Sequence, residues 1–169
     1  MPSKRQRFVE WAIDRVGLPC LWAAKGDYFV ADGHRRLLLD SPAYDCSGLV
    51  PCALLAVTGK DLRDTRNAQK LWLELPVAYV RTDELEPYAV KPGDLAFYGP
   101  GELDIDHVVI YLAGGHILSA SGARPSITTL EDAKRAGARV QVKQTANYRP
   151  DLRGFRSLAK YLDSKELKP

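Results

Sequence analysis

The apolar residues of this chain change period partway along it, and that change limits the folds open to it. Early on they recur at helical spacing. Phe8, Trp11, Ala12 and Val16 predict a helix over 5–17, stopped by Gly17 and Pro19. Leu49, Val50, Ala53, Leu54 and Val57 form the apolar face of a second helix, which begins around Cys46 and is closed by Gly59. Pro51 lacks a backbone donor, so an irregular first turn is expected. Ala68, Leu71 and Trp72 carry a shorter helix over 65–73. After Pro92 the period becomes two. Asp94–Tyr98 reads as a strand, and Val108, Ile110 and Leu112 alternate with His107, Val109 and Tyr111. "AGG" at 113–115 is a turn from which Ile117–Ser121 returns as a hairpin partner. A short helix or loop over 129–137, a strand over 138–145, a last strand over 148–158 and a solvated tail helix over 158–166 follow. Helices first and a meander of strands after them predict an α+β fold.

Residues 24–44 stand apart. They are polar, with Gly26, Gly33 and Pro42, and read as a long loop with short strands at Tyr28–Val30 and near Leu37–Leu39. A loop this long in a compact domain is more often functional or mobile than idle. The 169 residues suffice for one domain with a sizeable core and not comfortably for two. The expected unit is therefore 1–169, its core about 5–158 and 159–169 a solvated tail. Hydrophobic residues at 46% and charged residues at 27% fit an ordinary globular protein. A net charge of +3 is too weak to argue for nucleic acid as partner. Three cysteines, Cys20, Cys46 and Cys52, make neither a disulfide framework nor a CxxC zinc pair. The basic start (Lys4, Arg5, Arg7) is followed by Glu10, Asp14 and Arg15 rather than an apolar run, so no secretory signal is read. No run of eighteen apolar residues is present to span a membrane.

The stretch "YDCSGLV", 44–50, raises the chemical question. A thiol attacks only as thiolate, and its pKa falls at a helix N-terminus or beside an imidazole. With Asp45 as N-cap, Cys46 stands in the first turn, at the positive end of the helix dipole. A histidine is the usual base for such a nucleophile. From pattern alone two readings stand: Cys46 is a small packing residue, or it is a nucleophile.

Of the three histidines, His34 lies in the polar loop. His107 opens a strand and His116 follows the turn. At roughly 3.3 Å per residue these two are about 16 Å apart along the ladder, so both cannot serve one site. A three-residue turn pairs Leu112 with His116, and then 107, 109 and 111 face 121, 119 and 117. Ser121 comes to lie opposite His107 and Ser119 diagonal to it. A hydroxyl there accepts from the imidazole and fixes its tautomer, a weaker form of a triad carboxylate.

Taken in order, "YDCSGLV", "DLRDTRNAQ", "VKPGDLAFY" and "DHVVIYLAGGHILSASG" resemble the NlpC/P60 family of cell-wall cysteine peptidases. The resemblance runs from "WAIDRVGLPCLWAAKG" to "YRPDLRGFR". It implies a papain-like fold, with N-terminal helices packed on a small antiparallel sheet and the cysteine on a helix N-terminus. It implies hydrolysis of amide bonds in peptidoglycan stem peptides, commonly after γ-D-glutamate and before a diamino acid, with no metal or organic cofactor. Cys46 becomes the nucleophile and His107 the base, flanked by Asp45 and Ser47 as residues that orient substrate and helix start.

Three departures from the family pattern follow. "ILSAS" puts Ser119 where many members carry His, Asn or Gln. "PCLWAA" keeps Trp22 but sets Cys20 where a tyrosine is common and Ala23–Ala24 where glycines are. The stretch between Trp22 and Cys46 is long, and is expected to form one wall of the cleft. Trp22, Cys20 and Ser121 join Asp45 and Ser47 as expected substrate contacts. Two rival readings keep the fold: a wall-binding or phage tail module, or an amidase or acyltransferase using the same dyad. Synthesis in the cytoplasm without a Sec signal, with action at the wall, points to a phage virion or an injected effector. An immunity protein or a tail or secretion component would then be a partner.

Overall fold

The computed structural model describes residues 1–80 and 89–163. Residues 164–169, and with them the end of the tail helix expected over 158–166, lie outside the described residues. The helices are α1 (Lys4–Ile13), α2 (Cys46–Thr58), α3 (Ala68–Glu74), α4 (Leu130–Ala136) and α5 (Ala159–Leu162). The strands are β1 (Lys25–Gly26), β2 (Tyr28–Ala31), β3 (His34–Leu37), β4 (Ala43–Tyr44) and β5 (Val77–Ala78), then β6 (Leu95–Tyr98), β7 (His107–Tyr111), β8 (Ile117–Ser121), β9 (Arg139–Lys143) and β10 (Leu152–Arg156). Among the described residues, six strands form one antiparallel sheet in the order β5–β10–β6–β7–β8–β9. β1 pairs with β4, and β2 with β3, away from it. This is the α+β arrangement that the change of period predicts.

Strand alternation sorts the sheet into two faces. Leu95, Phe97, Val108, Ile110, Leu118 and Ala120 join Leu49 and Leu54 of α2 and Phe8 and Ala12 of α1 in the main core. Ala96, Tyr98, Val109 and Ile117 point the other way, onto Tyr148, Leu152 and Phe155. His107 and Ser119 share the parity of this second set. Every residue from Ser47 through Leu54 is buried, because α2 runs between the sheet and α1, β1 and α5. A helix apolar around its circumference has to be enclosed in this way. The helix continues unbroken through Pro51, so the expected irregular turn is not found. The missing donor costs only the helical partner of the Ser47 carbonyl.

Other expectations change too. α1 ends at Ile13, with 14–17 as turns, and the last strand starts at Leu152. α5 is not solvated on all sides: Leu158 and Leu162 belong to the main core. Asp94, 1% exposed, ties this end down. Its carboxylate accepts from Arg5 Nη1 at 2.8 Å and from the backbone N–H groups of Lys91 and Leu158, both at 3.0 Å. No helix among the described residues is long and apolar enough to cross a membrane.

Gly48 sets the seat of α2. Its backbone passes so close to β1 that a Cβ would stand 2.1 Å from the Ala24 carbonyl oxygen, which itself accepts from Asp45 N–H at 3.0 Å. Gly48→Ala is therefore expected to lower stability by about 2–3 kcal/mol. Urea unfolding checks this, by a lower midpoint at unchanged slope. An unchanged midpoint would show that the contact yields.

Candidate active site

Asp45 is the N-cap of α2 and accepts from the Gly48 N–H. The same carboxylate is held by Lys25 Nζ at 3.1 and 3.2 Å, and Lys25 also donates to Ser47 Oγ at 2.9 Å. Ser47 Oγ–H returns to Asp45 at 3.0 Å. This closed set fixes the first turn of α2, and so fixes Cys46. The Cys46 thiol is turned toward the start of β7, where it donates to the Asp106 carbonyl at 3.8 Å. Burial, and after it the Asp45 charge, pushes the thiol up to about 12, against the opposing pull of the Val108 and Ser47 N–H groups and of Lys25. The fall in pKa expected at a helix N-terminus is outweighed, because the cost of placing charge against the strand backbone exceeds the help of the dipole.

His107 is the first residue of β7 and 7% exposed. Its Nε2 and Ser119 Oγ are 3.1 Å apart, and Ser119 is fully buried. The register is the one expected: Tyr111 pairs with Ile117 and Ile110 with Leu118, which puts Ser119 diagonal to His107. The ring is packed by Tyr98 at 5.7 Å and Tyr148 at 6.5 Å, centroid to centroid. Burial, and then the nearby Arg149 cation, lowers the imidazole to about 3. Thiol and ring are thus both neutral over the ordinary pH range.

Cys46 and His107 open onto one cleft of about 780 Å³, together with Trp22, Asp45, Ser47 and Ser121. Two expected site residues, Ser119 as the third catalytic position and Cys20 as a substrate contact, are not on its wall. Ser119 lies behind His107. Cys20, 1% exposed, sits in the main core next to Cys46, so it is not placed to touch a ligand. All three cysteines are free. Ser121 Oγ accepts from Gln141 at 2.9 Å rather than from the histidine. The long 24–44 stretch does not supply the wall either. It folds as β1 to β4, with β2 and β3 carried outward and all of β3 exposed, and the lining passes from Ala23 to Asp45.

Other residues that line the cleft escaped the sequence reading. Asn67 and Gln69 come from the start of α3, Asp106 precedes β7, and Tyr148 belongs to a short turn at 146–148. Arg149 joins them; it pairs with Asp106 at 3.1 Å and with Asp151 at 2.5 Å. Asn67 did carry a signal, since it caps α3 by accepting from Lys70 N–H at 2.9 Å. Among the described residues no group of three or more His, Cys, Asp or Glu could hold a metal ion.

The sequence profile of the NlpC/P60 family matches residues 26–144. Peptidoglycan endopeptidase RipB of Mycobacterium tuberculosis is 30% identical over 154 residues, which are 86% of this chain and 56% of that protein. The chain thus spans little more than half the length of that relative. The solved structure of RipB superposes with a TM-score of 0.56 at 24% identity, over 90% of this chain and 62% of that one. RipD of the same organism, described as a non-catalytic NlpC/p60 domain protein adapted to peptidoglycan binding, gives 0.60 at 20% identity, over 94% and 99%. At these identities the superpositions establish the fold.

Two outcomes are expected from the neutral pair. Alkylation of Cys46 by iodoacetamide, followed by peptide mass, should be slow at pH 7 and climb about tenfold per pH unit beyond the point where free cysteine levels off. A plateau below pH 7 would contradict this. In the folded chain His107 titrates at about 3 against an ordinary 6.5, so the unfolded chain takes the proton first as pH falls. Unfolding free energy should therefore drop from pH 6.5 toward 3, and His107→Gln should flatten that slope. An unchanged slope would place the ring's titration elsewhere.

Proposed function

The chain belongs to the NlpC/P60 family, and from that premise we propose that it is a cysteine peptidase hydrolysing amide bonds in peptidoglycan stem peptides, between γ-D-glutamate and a diamino acid. The observation that carries the reading is the shared cleft. Cys46 stands at the N-terminus of α2 and opens into the same space as His107, whose Nε2 is engaged by Ser119.

Because the resting pair is neutral, the proton moves as the bond forms. Cys46 Sγ attacks the substrate carbonyl while its proton passes to His107 Nδ1. The backbone N–H groups opening α2 stabilise the oxyanion. The imidazolium then protonates the leaving amine, and the neutral ring next takes a proton from water, which attacks the thioester and frees Cys46. Ser119 orients the ring throughout, and Asp45 with Lys25 holds the turn that carries the sulfur.

A second reading is favoured by specific features. Ser119 is a weak orienter, and the Cys46 thiol is held protonated. Both suit a domain that keeps the groove to hold wall peptides without cutting them. Muropeptide digestion read by mass separates the two. Wild type is expected to release cleaved stem peptides, Cys46→Ala none, and His107→Ala product at a rate lower by about 10³-fold. Full turnover by Cys46→Ala would refute the assignment. Binding of muropeptides by wild type with no cleavage would establish the binding module.

A further inference from the structure

The connection between β6 and β7, residues 99–106, ends at the site. Its last residue, Asp106, offers the carbonyl that accepts the Cys46 thiol at 3.8 Å, and His107 follows directly. Where this carbonyl stands depends on how the connection is held. Glu102, Leu103 and Asp104 are exposed, so packing does not fix them. The first half is tied by Arg153, which donates to the Gly99 and Pro100 carbonyls at 2.5 and 2.8 Å. On the sheet side, Asp106 N–H donates to the Tyr98 carbonyl at 3.0 Å.

The second half is tied from α3. Among the described residues, the hydrogen bonds that reach 102–105 from outside the connection all come from Gln69. Its Nε2 donates to the Glu102 carbonyl at 3.1 Å, and its Oε1 accepts from Ile105 N–H at 2.7 Å. A side-chain amide suits this place because it donates and accepts at once. Gln69 acts from a firm base, since Ala68, Leu71 and Trp72 of the same helix lie in the main core. Gln69, Ile105, Asp106 and Cys46 all line the one cleft.

We propose that Gln69 is a positioning residue for Cys46: by bonding both Glu102 and Ile105 it sets the Asp106 carbonyl as the acceptor on which the thiol rests. The acceptor belongs to the residue before His107, so the same contact keeps the sulfur at the start of β7. Donation to a carbonyl also favours the protonated thiol over the thiolate. The role presupposes Cys46 as the reacting group of the peptidase reading, and adds the residue that governs how its thiol is held.

Iodoacetamide alkylation at pH 7, with the label located by peptide mass, reads the thiol without any substrate. Gln69→Leu keeps most of the side-chain bulk and removes both bonds. It should speed labelling of Cys46 about tenfold, because the thiol loses a hydrogen bond that favours its protonated form. Gln69→Glu keeps an acceptor for Ile105 N–H and should label no faster than wild type. Cys20 and Cys52, both buried, should stay unlabelled in all three proteins. A wild-type rate in Gln69→Leu, or equal acceleration in Gln69→Glu, would overturn the proposal. Labelling of Cys20 and Cys52 together with Cys46 in Gln69→Leu would also overturn it, by showing that Gln69 serves stability alone. If wild type cleaves no muropeptide, the peptidase reading fails, and these rates still decide on Gln69.

Discussion

One carboxylate holds the site together. Asp45 caps α2, pairs with Lys25 across β1 and receives the Ser47 hydroxyl, while its own N–H bonds the Ala24 carbonyl beneath Gly48. The N-cap contributes about 1 kcal/mol. Removing one partner of an enclosed ion pair costs about 3–5 kcal/mol. The chain spends its most constrained local geometry on fixing where Cys46 stands. Packing of α2 against β7 and β8 then sets the distance from that sulfur to the start of β7.

The electrostatics of the cleft follow from enclosure. A helix N-terminus favours a thiolate, yet here the sulfur lies against strand backbone and beside the Asp45 charge, and both effects push the other way. His107 is enclosed by two tyrosines and faces the Arg149 cation, which keeps it neutral. In the proposed mechanism proton transfer is coupled to bond formation, which makes the orientation of the imidazole matter more than the ionisation of the thiol. That is why the hydroxyl behind the ring matters.

Periodicity made α2 and the β7–β8 hairpin legible, down to the register that places Ser119 beside His107, because each is a local pattern with a defined turn. What escaped depends on long-range approach. β1 and β4 are two residues each and exist through pairing across the chain, so no window of sequence contains them. Lys25 meets Asp45 only because that pairing folds 25 back onto 44. Tyr148 was read into a strand and instead occupies a turn held by Tyr98, a residue on a distant strand. Cys20 was assigned from its place in a motif, and the packing of the segment against the core turns it away from the cleft.

The most direct test of Cys46 as the reacting group is a stem peptide bearing a chloromethyl ketone in place of the scissile amide. The expected result is one covalent adduct per chain, located on Cys46 by peptide mass and formed far more slowly in His107→Gln. Labelling of Cys20 or Cys52 instead, or a rate indifferent to His107, would contradict it.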